Sequence, residues 1–224
     1  MLQARSPQAP LYRIGRGTHP WEFPDWSKAG TDHSGAHTFG NRFDDPNGEY
    51  RVLYASSQLV SCYVETLARF RPDRNLLAEL QQIEGEDDFQ PIGVIPPEWF
   101  TTRHVGTAEV NGRFAELYTG EWIGHLRSRL QPECARLGQD EFDLSVLMQA
   151  KERIITQMAS SIVYDLGSFA GIYYTSRYGQ ELENWALFEF LAVVNPLTTR
   201  PVSKLDPELH KALQILRLDI PKNP

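Results

Sequence analysis

Six polar residues in this chain combine a type and a setting that could do chemistry: Arg13, Arg42, Tyr54, Glu65, Ser176 and Asn184. Arg42 lies at the start of GNRFDDPNGEYRVLYAS, residues 40–56, and Tyr54 near its end. An arginine offers a rigid planar fork that holds phosphate oxygens through two parallel charged hydrogen bonds, which suits Arg42 and Arg13, the latter in LYRIGR. Glu65, in SSQLVSCYVETLARF, could set a carboxylate against positive charge that develops in a transition state. Ser176 follows GIYYT, and Asn184 opens the apolar run WALF, so both stand at strand ends, where site residues commonly sit. Taken singly, each has an ordinary reading. Arg42 is then an exposed charge beside a buried ring, Glu65 a solvated glutamate, and Ser176 and Asn184 are turn-capping polar residues.

The elements that must position these groups follow from local pattern. Asn47-Gly48 tolerates positive φ and predicts a hairpin that makes Arg42 and Tyr54 neighbours. Leu59, Val60, Tyr63, Val64, Leu67 and Phe70 recur at helical spacing, with Ser56 or Ser57 as the cap, and Glu65 points away from the centre of that apolar arc. LYRIGR reads as a first short strand, followed by an irregular stretch from Thr18 to Thr38 of a length that is often functional. TAEVNGRFAELYT, around a second Asn-Gly pair, predicts another hairpin. GEWIGHLRSRLQ and the run from about Asp140 to Tyr164 read as helices that end near Gly167. GIYYTS is a short strand, WALFEFLAVV a long apolar one, and Asp206 to Arg217 an amphipathic helix. Helices and strands alternate without a regular βαβ rhythm, so the expected class is α+β: a single domain with a mixed, largely antiparallel sheet flanked by helices.

Composition narrows the function. With 224 residues, one substantial core is expected. The net charge of −7 and a pI near 5.4 argue against a nucleic-acid protein, which needs a basic face. No apolar run approaches the roughly 18 residues that would span a bilayer, and the N-terminus lacks a signal-like apolar core, so the expectation is a cytosolic chain without membrane contact. Cys62 and Cys134 are then free thiols. His33 and His37 lack further ligands and read as a solvated pair, with no metal site. GxxxxGK[ST], GxGxxG and GxSxG do not occur, which leaves the usual phosphate loops and the serine hydrolase elbow without support.

Together, in this order, the segments resemble the RES domain, a family named for its arginine, glutamate and serine. The resemblance runs from about Leu11 to Phe190. Arg42 corresponds to the family's arginine before a turn, Tyr54 to its strand tyrosine, Glu65 to its helix glutamate and Ser176 to its serine after the G-I-x-Y strand. Arg13 resembles the first-strand arginine and Asn184 the late asparagine. The chain departs from the family's Gly-Arg-Trp-Asn run, having Asn41-Arg42-Phe43-Asp44 instead. Its stretch 72–143 looks longer than in compact members and is expected to be an insertion, whose acidic part IEGEDDFQPIGVIPPEW, residues 83–99, lies at the surface, shapes the rim or an interface and carries no catalytic group, within one domain of core about 11–190 and a C-terminal helix at about 206–217.

The resemblance implies a fold similar to ADP-ribosyltransferases and an enzyme that cleaves the nicotinamide–ribose bond of NAD, with water or phosphate as acceptor. NAD is then a substrate, not a cofactor. In that picture Arg13 and Arg42 hold the pyrophosphate, Glu65 stabilises the ribosyl cation, Tyr54 meets the nicotinamide or ribose, and Ser176 holds the carboxamide or a ribose hydroxyl. Other activities the family implies are ADP-ribosyl transfer to a protein, or binding of NAD, ADP-ribose or a partner without turnover. Many members are toxins restrained by a helix-turn-helix antitoxin, which makes such a protein a possible partner, and an oligomer is compatible with the sequence.

Overall fold

The computed structural model describes residues 1–31, 37–71, 93–149 and 153–220. Ten strands are present among them: β1 (Ala4–Arg5), β2 (Leu11–Arg16), β3 (Gly30–Thr31), β4 (His37–Thr38), β5 (Val52–Ser56), β6 (Arg103–Asn111), β7 (Phe114–Glu116), β8 (Gly171–Ser176), β9 (Gly179–Phe188) and β10 (Val193–Pro201). The helices are α1 (Leu59–Leu67), α2 (Pro97–Thr101), α3 (Gly120–Arg136), α4 (Leu144–Gln149), α5 (Arg153–Asp165) and α6 (Pro207–Leu216), with short 3-10 turns at Trp26–Lys28 and Ala68–Phe70. Eight strands form one sheet in the order β1-β7-β8-β9-β5-β2-β6-β10, and β3 pairs with β4 apart from it. Only β7–β8 is parallel among the pairs of the large sheet. The α+β class and the largely antiparallel sheet therefore stand as expected.

Side-chain alternation sorts the sheet into two faces. Along β5, Val52 and Tyr54 point into one cluster while Leu53 and Ala55 point into another; along β9, Ala186 and Phe188 oppose Trp185 and Leu187 in the same way. The first face carries two helical groups. Over β8, β9 and β5, it is covered by α3 and α5 through Trp122, Leu126, Leu130, Ile155, Ala159 and Val163. Over β2 and β6, it is covered by α1 and α6 through Tyr63, Val64, Leu67, Leu209, Leu213 and Leu216. The register Tyr12↔Ser56 puts both groups on the same side. The second face is closed by Trp21 and Phe23 of the irregular stretch. That stretch lies so close to the sheet that a Cβ on Gly106 would come within 2.5 Å of the Pro20 side chain, so only glycine fits there.

Several local expectations are corrected. No hairpin forms at Asn47-Gly48: Gly48 does adopt φ 73°, but residues 41–51 are irregular, and β5 pairs with the distant β9 and β2. Asn111-Gly112 likewise joins strands that do not pair with each other, since β6 lies between β2 and β10 whereas β7 lies between β1 and β8. A turn signal fixes a local bend, and the partners of the flanking strands are chosen by burial. The helix cap is Gln58, whose side chain accepts from the Glu183 amide and does not cap the helix; Ser56 and Ser57 bond elsewhere. WALFEFLAVV is two strands, broken at Glu189–Ala192, where Phe190 takes φ 70° and is 78% exposed. Within the expected insertion 72–143, β6 and β7 are strands of the main sheet and α3 roofs its core, so residues 103–136 belong to the central fold, and of the stretch 83–99 expected at the surface, Ile95 and Trp99 are buried in the core. The acidic run at 84–88 and His33 lie outside the described residues. Both cysteines are free and buried, and no described helix is long and apolar enough to cross a membrane.

The C-terminal helix closes as its sequence indicates. Asp206 accepts from the Glu208 amide at 3.0 Å as N-cap, Pro207 begins the helix, and Arg217 ends it in the left-handed region at φ 55°. Asp206 also accepts from Tyr63 Oη at 3.1 Å and pairs with Arg200, which ties α6 to α1 and β10. Burial raises the pKa of Asp206, but the Arg200, Glu208 and Tyr63 hydrogen bonds outweigh it and hold the carboxyl below its usual value. A lowered folded pKa stabilises above the unfolded value, and that contribution disappears as pH falls through the folded one. Asp206→Ala is expected to reduce unfolding free energy by about 1–2 kcal/mol at pH 7. The deficit should shrink as pH drops below about 4, measured by urea denaturation across pH.

Candidate active site

Where α1 packs against the sheet, three of the singled-out residues meet: Glu65 of α1, Ser176 at the end of β8 and Asn184 within β9. Asn184 is 1% exposed and cannot leave its amide unpaired. Its Oδ1 accepts from Ser56 Oγ at 2.6 Å and Ser61 Oγ at 2.8 Å, and its Nδ2 donates to Glu65 Oε1 at 3.3 Å. Ser176, also 1% exposed, donates to the same Glu65 oxygen at 2.6 Å and accepts from the Tyr178 amide at 3.2 Å. Glu65 itself is exposed on α1. One of its oxygens is thus pinned to the sheet, and Oε2 has no hydrogen-bond partner among the described residues. Asn184 and Ser176 act on the carboxylate, and neither is a turn cap alone.

Arg42 is presented by a turn, not a hairpin. Asp44 accepts from the Asn41 amide at 2.7 Å and from Asn41 Nδ2 at 2.7 Å, closing the bend 41–44. Tyr54 Oη donates to Asp44 Oδ1 at 2.9 Å and accepts from the Phe43 amide at 2.9 Å. Arg42 and Tyr54 are neighbours as expected, but the phenol is committed to holding the turn. Burial, followed by the Asp44 charge, pushes the Tyr54 pKa well above 10, so it remains a donor. Burial also raises Asp44, against the pull of its hydrogen bonds to Asn41 and Tyr54. From this turn Arg42 Nη2 donates to Tyr118 Oη at 2.6 Å and to the Leu147 carbonyl. Its Nε is buried with no partner among the described residues.

Two tyrosines that sequence reasoning passed over connect the halves. Tyr174 stands two residues before Ser176 on the same face of β8, with its ring 5.3 Å from the Arg42 guanidinium and edge-on to Phe43 at 4.9 Å. Tyr118 follows β7. Burial raises the pKa of both; the Glu65 charge raises them further and Arg42 opposes it. Both phenols therefore lie within the fields of Glu65 and Arg42. The period-two step from Ser176 to Tyr174 was a usable signal for the first; nothing local marks Tyr118.

Arg13 occupies a different position. The β2–β5 ladder is a single pair, Tyr12↔Ser56, and beyond it the Tyr54 carbonyl accepts from Arg13 Nη1 at 2.6 Å in place of a strand amide. Arg13 Nε donates to the Pro20 carbonyl at 2.6 Å. Burial lowers its pKa to about 10, with Cys62 and Tyr54 as its electrostatic neighbours. Two of its donors thus hold the sheet and the Pro20 loop. The Cys62 thiol beside it donates to the Tyr12 carbonyl at 3.0 Å and is pushed up to about 12 by burial, which makes it a poor nucleophile.

A scan against protein-family models matches the RES domain over residues 10–206. The chain belongs to the RES domain family. The match takes in every residue of the cleft and also the stretch 72–143. No curated protein matches this RES domain. Among solved structures, a chain of the M. tuberculosis MbcT–MbcA toxin–antitoxin complex matches at 10% identity with a TM-score of 0.47, over 97% of this RES domain and 91% of that chain. Among the described residues no group of three or more His, Cys, Asp or Glu is placed to hold a metal ion.

Tyr54→Phe tests the turn that carries Arg42. It removes one hydroxyl and leaves both the Phe43 amide and the Asp44 carboxylate short of a partner. The expected loss is about 1–3 kcal/mol of stability, read from urea unfolding. An unchanged midpoint and slope would show that the phenol does not support the turn.

Proposed function

We propose that this RES domain cleaves the nicotinamide–ribose bond of NAD. The observation that carries this reading is the half-anchored Glu65: one oxygen fixed by Ser176 and Asn184, the other without a hydrogen-bond partner among the described residues, on an exposed side chain whose field reaches the same two tyrosines as that of Arg42. Such a carboxylate is oriented before any substrate arrives, which is the condition for stabilising charge that appears only in the transition state. As the C1′–N bond breaks, its electron pair leaves with the ring nitrogen, and the pyridinium becomes neutral nicotinamide. No proton donor is required, and the developing ribosyl cation faces the Glu65 carboxylate, as in glycoside cleavage. The acceptor, water or phosphate, adds its oxygen to C1′ and releases a proton. Arg42, with an uncommitted buried Nε, suits an oxygen of the pyrophosphate. Ser176 acts as a positioning residue through Glu65, and Tyr54 through the Arg42 turn.

Family membership supports the same reading and adds toxin activity restrained by an antitoxin protein in the cytosol as part of the proposal. Release of nicotinamide from NAD by the pure protein is the direct test. Glu65→Gln keeps the size of the side chain but removes its charge. It is expected to slow release about a hundredfold or more while calorimetric NAD binding changes little. Arg42→Ala should chiefly weaken binding. Wild-type release by Glu65→Gln would make the carboxylate a bystander and remove the basis of the proposal.

A further inference from the structure

A second polar cavity, of about 390 Å³, opens where the end of β2, the start of β6 and the 3-10 turn after α1 meet. Arg16, Arg69, Phe70, Glu98, Trp99 and Arg103 line it. None of these residues hydrogen-bonds to Glu65 or Arg42 among the described contacts. Arg16 and Arg103 are directly opposite each other in the antiparallel β2–β6 pair. Like charges in that position destabilise a sheet, so the arrangement costs stability unless an anion offsets it. Arg69 adds a third cation. Burial first, and then the charges of Arg16 and Arg69, lower the Arg103 pKa to about 10.

The cavity holds donors that have nothing to receive them. Among the described residues none of the three arginines forms an ion pair. Glu98 is the single acid of the lining and is exposed. Arg103 makes only long contacts, to the Trp99 carbonyl at 3.4 Å and Thr102 Oγ1 at 3.3 Å, with its guanidinium 5.1 Å from the Trp99 ring. Trp99 is 2% exposed, yet its indole N–H has no acceptor among the described residues. A buried unpaired donor and a repelling cation cluster on one wall call for oxygen anions, and arginine forks match phosphate geometry.

We propose that this cavity binds a phosphate-bearing anion, with Arg103 fixed against Trp99 and the exposed Arg16 and Arg69 closing on it from the solvent side. Free phosphate and the phosphates of a nucleotide share this chemistry; a nucleotide would add stacking on the half-buried Phe70. The site does not depend on the NAD reading, and its test does not use NAD turnover.

Calorimetric titration of the full chain at low ionic strength with inorganic phosphate, pyrophosphate and ADP decides it. Saturable binding is expected for at least one of the three, weakened tenfold or more by Arg16→Gln and by Arg69→Gln, each measured with Arg42→Ala in place so that the pyrophosphate contact of the NAD site does not contribute. In phosphate-free buffer the first two variants should melt at or above the wild-type temperature, because they relieve repulsion, and should lose the upward shift that the anion gives the wild type. ADP tighter than pyrophosphate would assign the site to nucleotides; equal affinity would assign it to the phosphate group alone. Absence of saturable binding overturns the proposal, as does binding abolished by Arg42→Ala but not by Arg16→Gln or Arg69→Gln. Binding that appears only after Glu84, Glu86, Asp87 and Asp88 are neutralised would also overturn it, since the counter-charge would then belong to the chain.

Discussion

Everything at the cleft depends on the need to satisfy one buried amide. Asn184 sits in β9 at 1% exposure, and its oxygen and nitrogen are paired with Ser56 of β5, Ser61 of α1 and Glu65 of the same helix. A buried polar group left unpaired costs about 1–3 kcal/mol, so the network is stable only when all its members are present. Satisfying it fixes α1 against the sheet in rotation as well as position, because Ser61 and Glu65 are one helical turn apart on the same side. Ser176 then completes the restraint from β8. The carboxylate is aimed by the requirements of its neighbours, at the one place on α1 where a charge can also reach solvent.

The arginine is positioned by a separate device built from local bonds. Asn41, Asp44 and the Phe43 amide close a bend, and Tyr54 links that bend to β5. Asp44 is buried at 3% exposure, which raises its pKa, and its hydrogen bonds to Asn41 and Tyr54 oppose that rise. Tyr118 and the Leu147 carbonyl receive the guanidinium from the helical group on the far side. Two groups of opposite charge, each braced by its own hydrogen bonds, thus act on Tyr174 and Tyr118. Such bracing suits chemistry that depends on electrostatic preorganisation, because little reorganisation is left for the moment of reaction.

Membership of the RES family gives these groups a shared origin, and the structure divides them by task. Glu65 keeps a carboxylate oxygen, and Arg42 a buried Nε, without a partner among the described residues; Asn184, Ser176 and Tyr54 spend their hydrogen bonds on holding them. Arg13, grouped with Arg42 by residue type, bridges a gap in the sheet. The same residue type therefore serves a site in one place and a strand junction in another, and only its partners distinguish the two.

Much was legible in the sequence where the information is local. The apolar spacing of Leu59 to Leu67 produces α1 with Glu65 off the buried arc, GIYYTS is a strand, and Asp206-Pro207 starts the last helix where a cap and a proline require it. The family, too, could be read from the order of short segments. What could not be read was pairing. Asn47-Gly48 and Asn111-Gly112 announce bends correctly, but whether flanking strands pair across a bend depends on which distant strand offers an apolar face, and here the partners were β9 and β2 for one and β1 and β8 for the other. Tyr118 entered the cleft by the same route, carried there by a strand whose neighbours lie far along the chain. Residue types and helical periodicity are fixed within a few positions, so the sequence alone determined the chemical groups and the helix that bears the carboxylate. The contacts that turn Asn184 and Ser176 toward Glu65 span more than a hundred residues, and only the closed sheet could decide them.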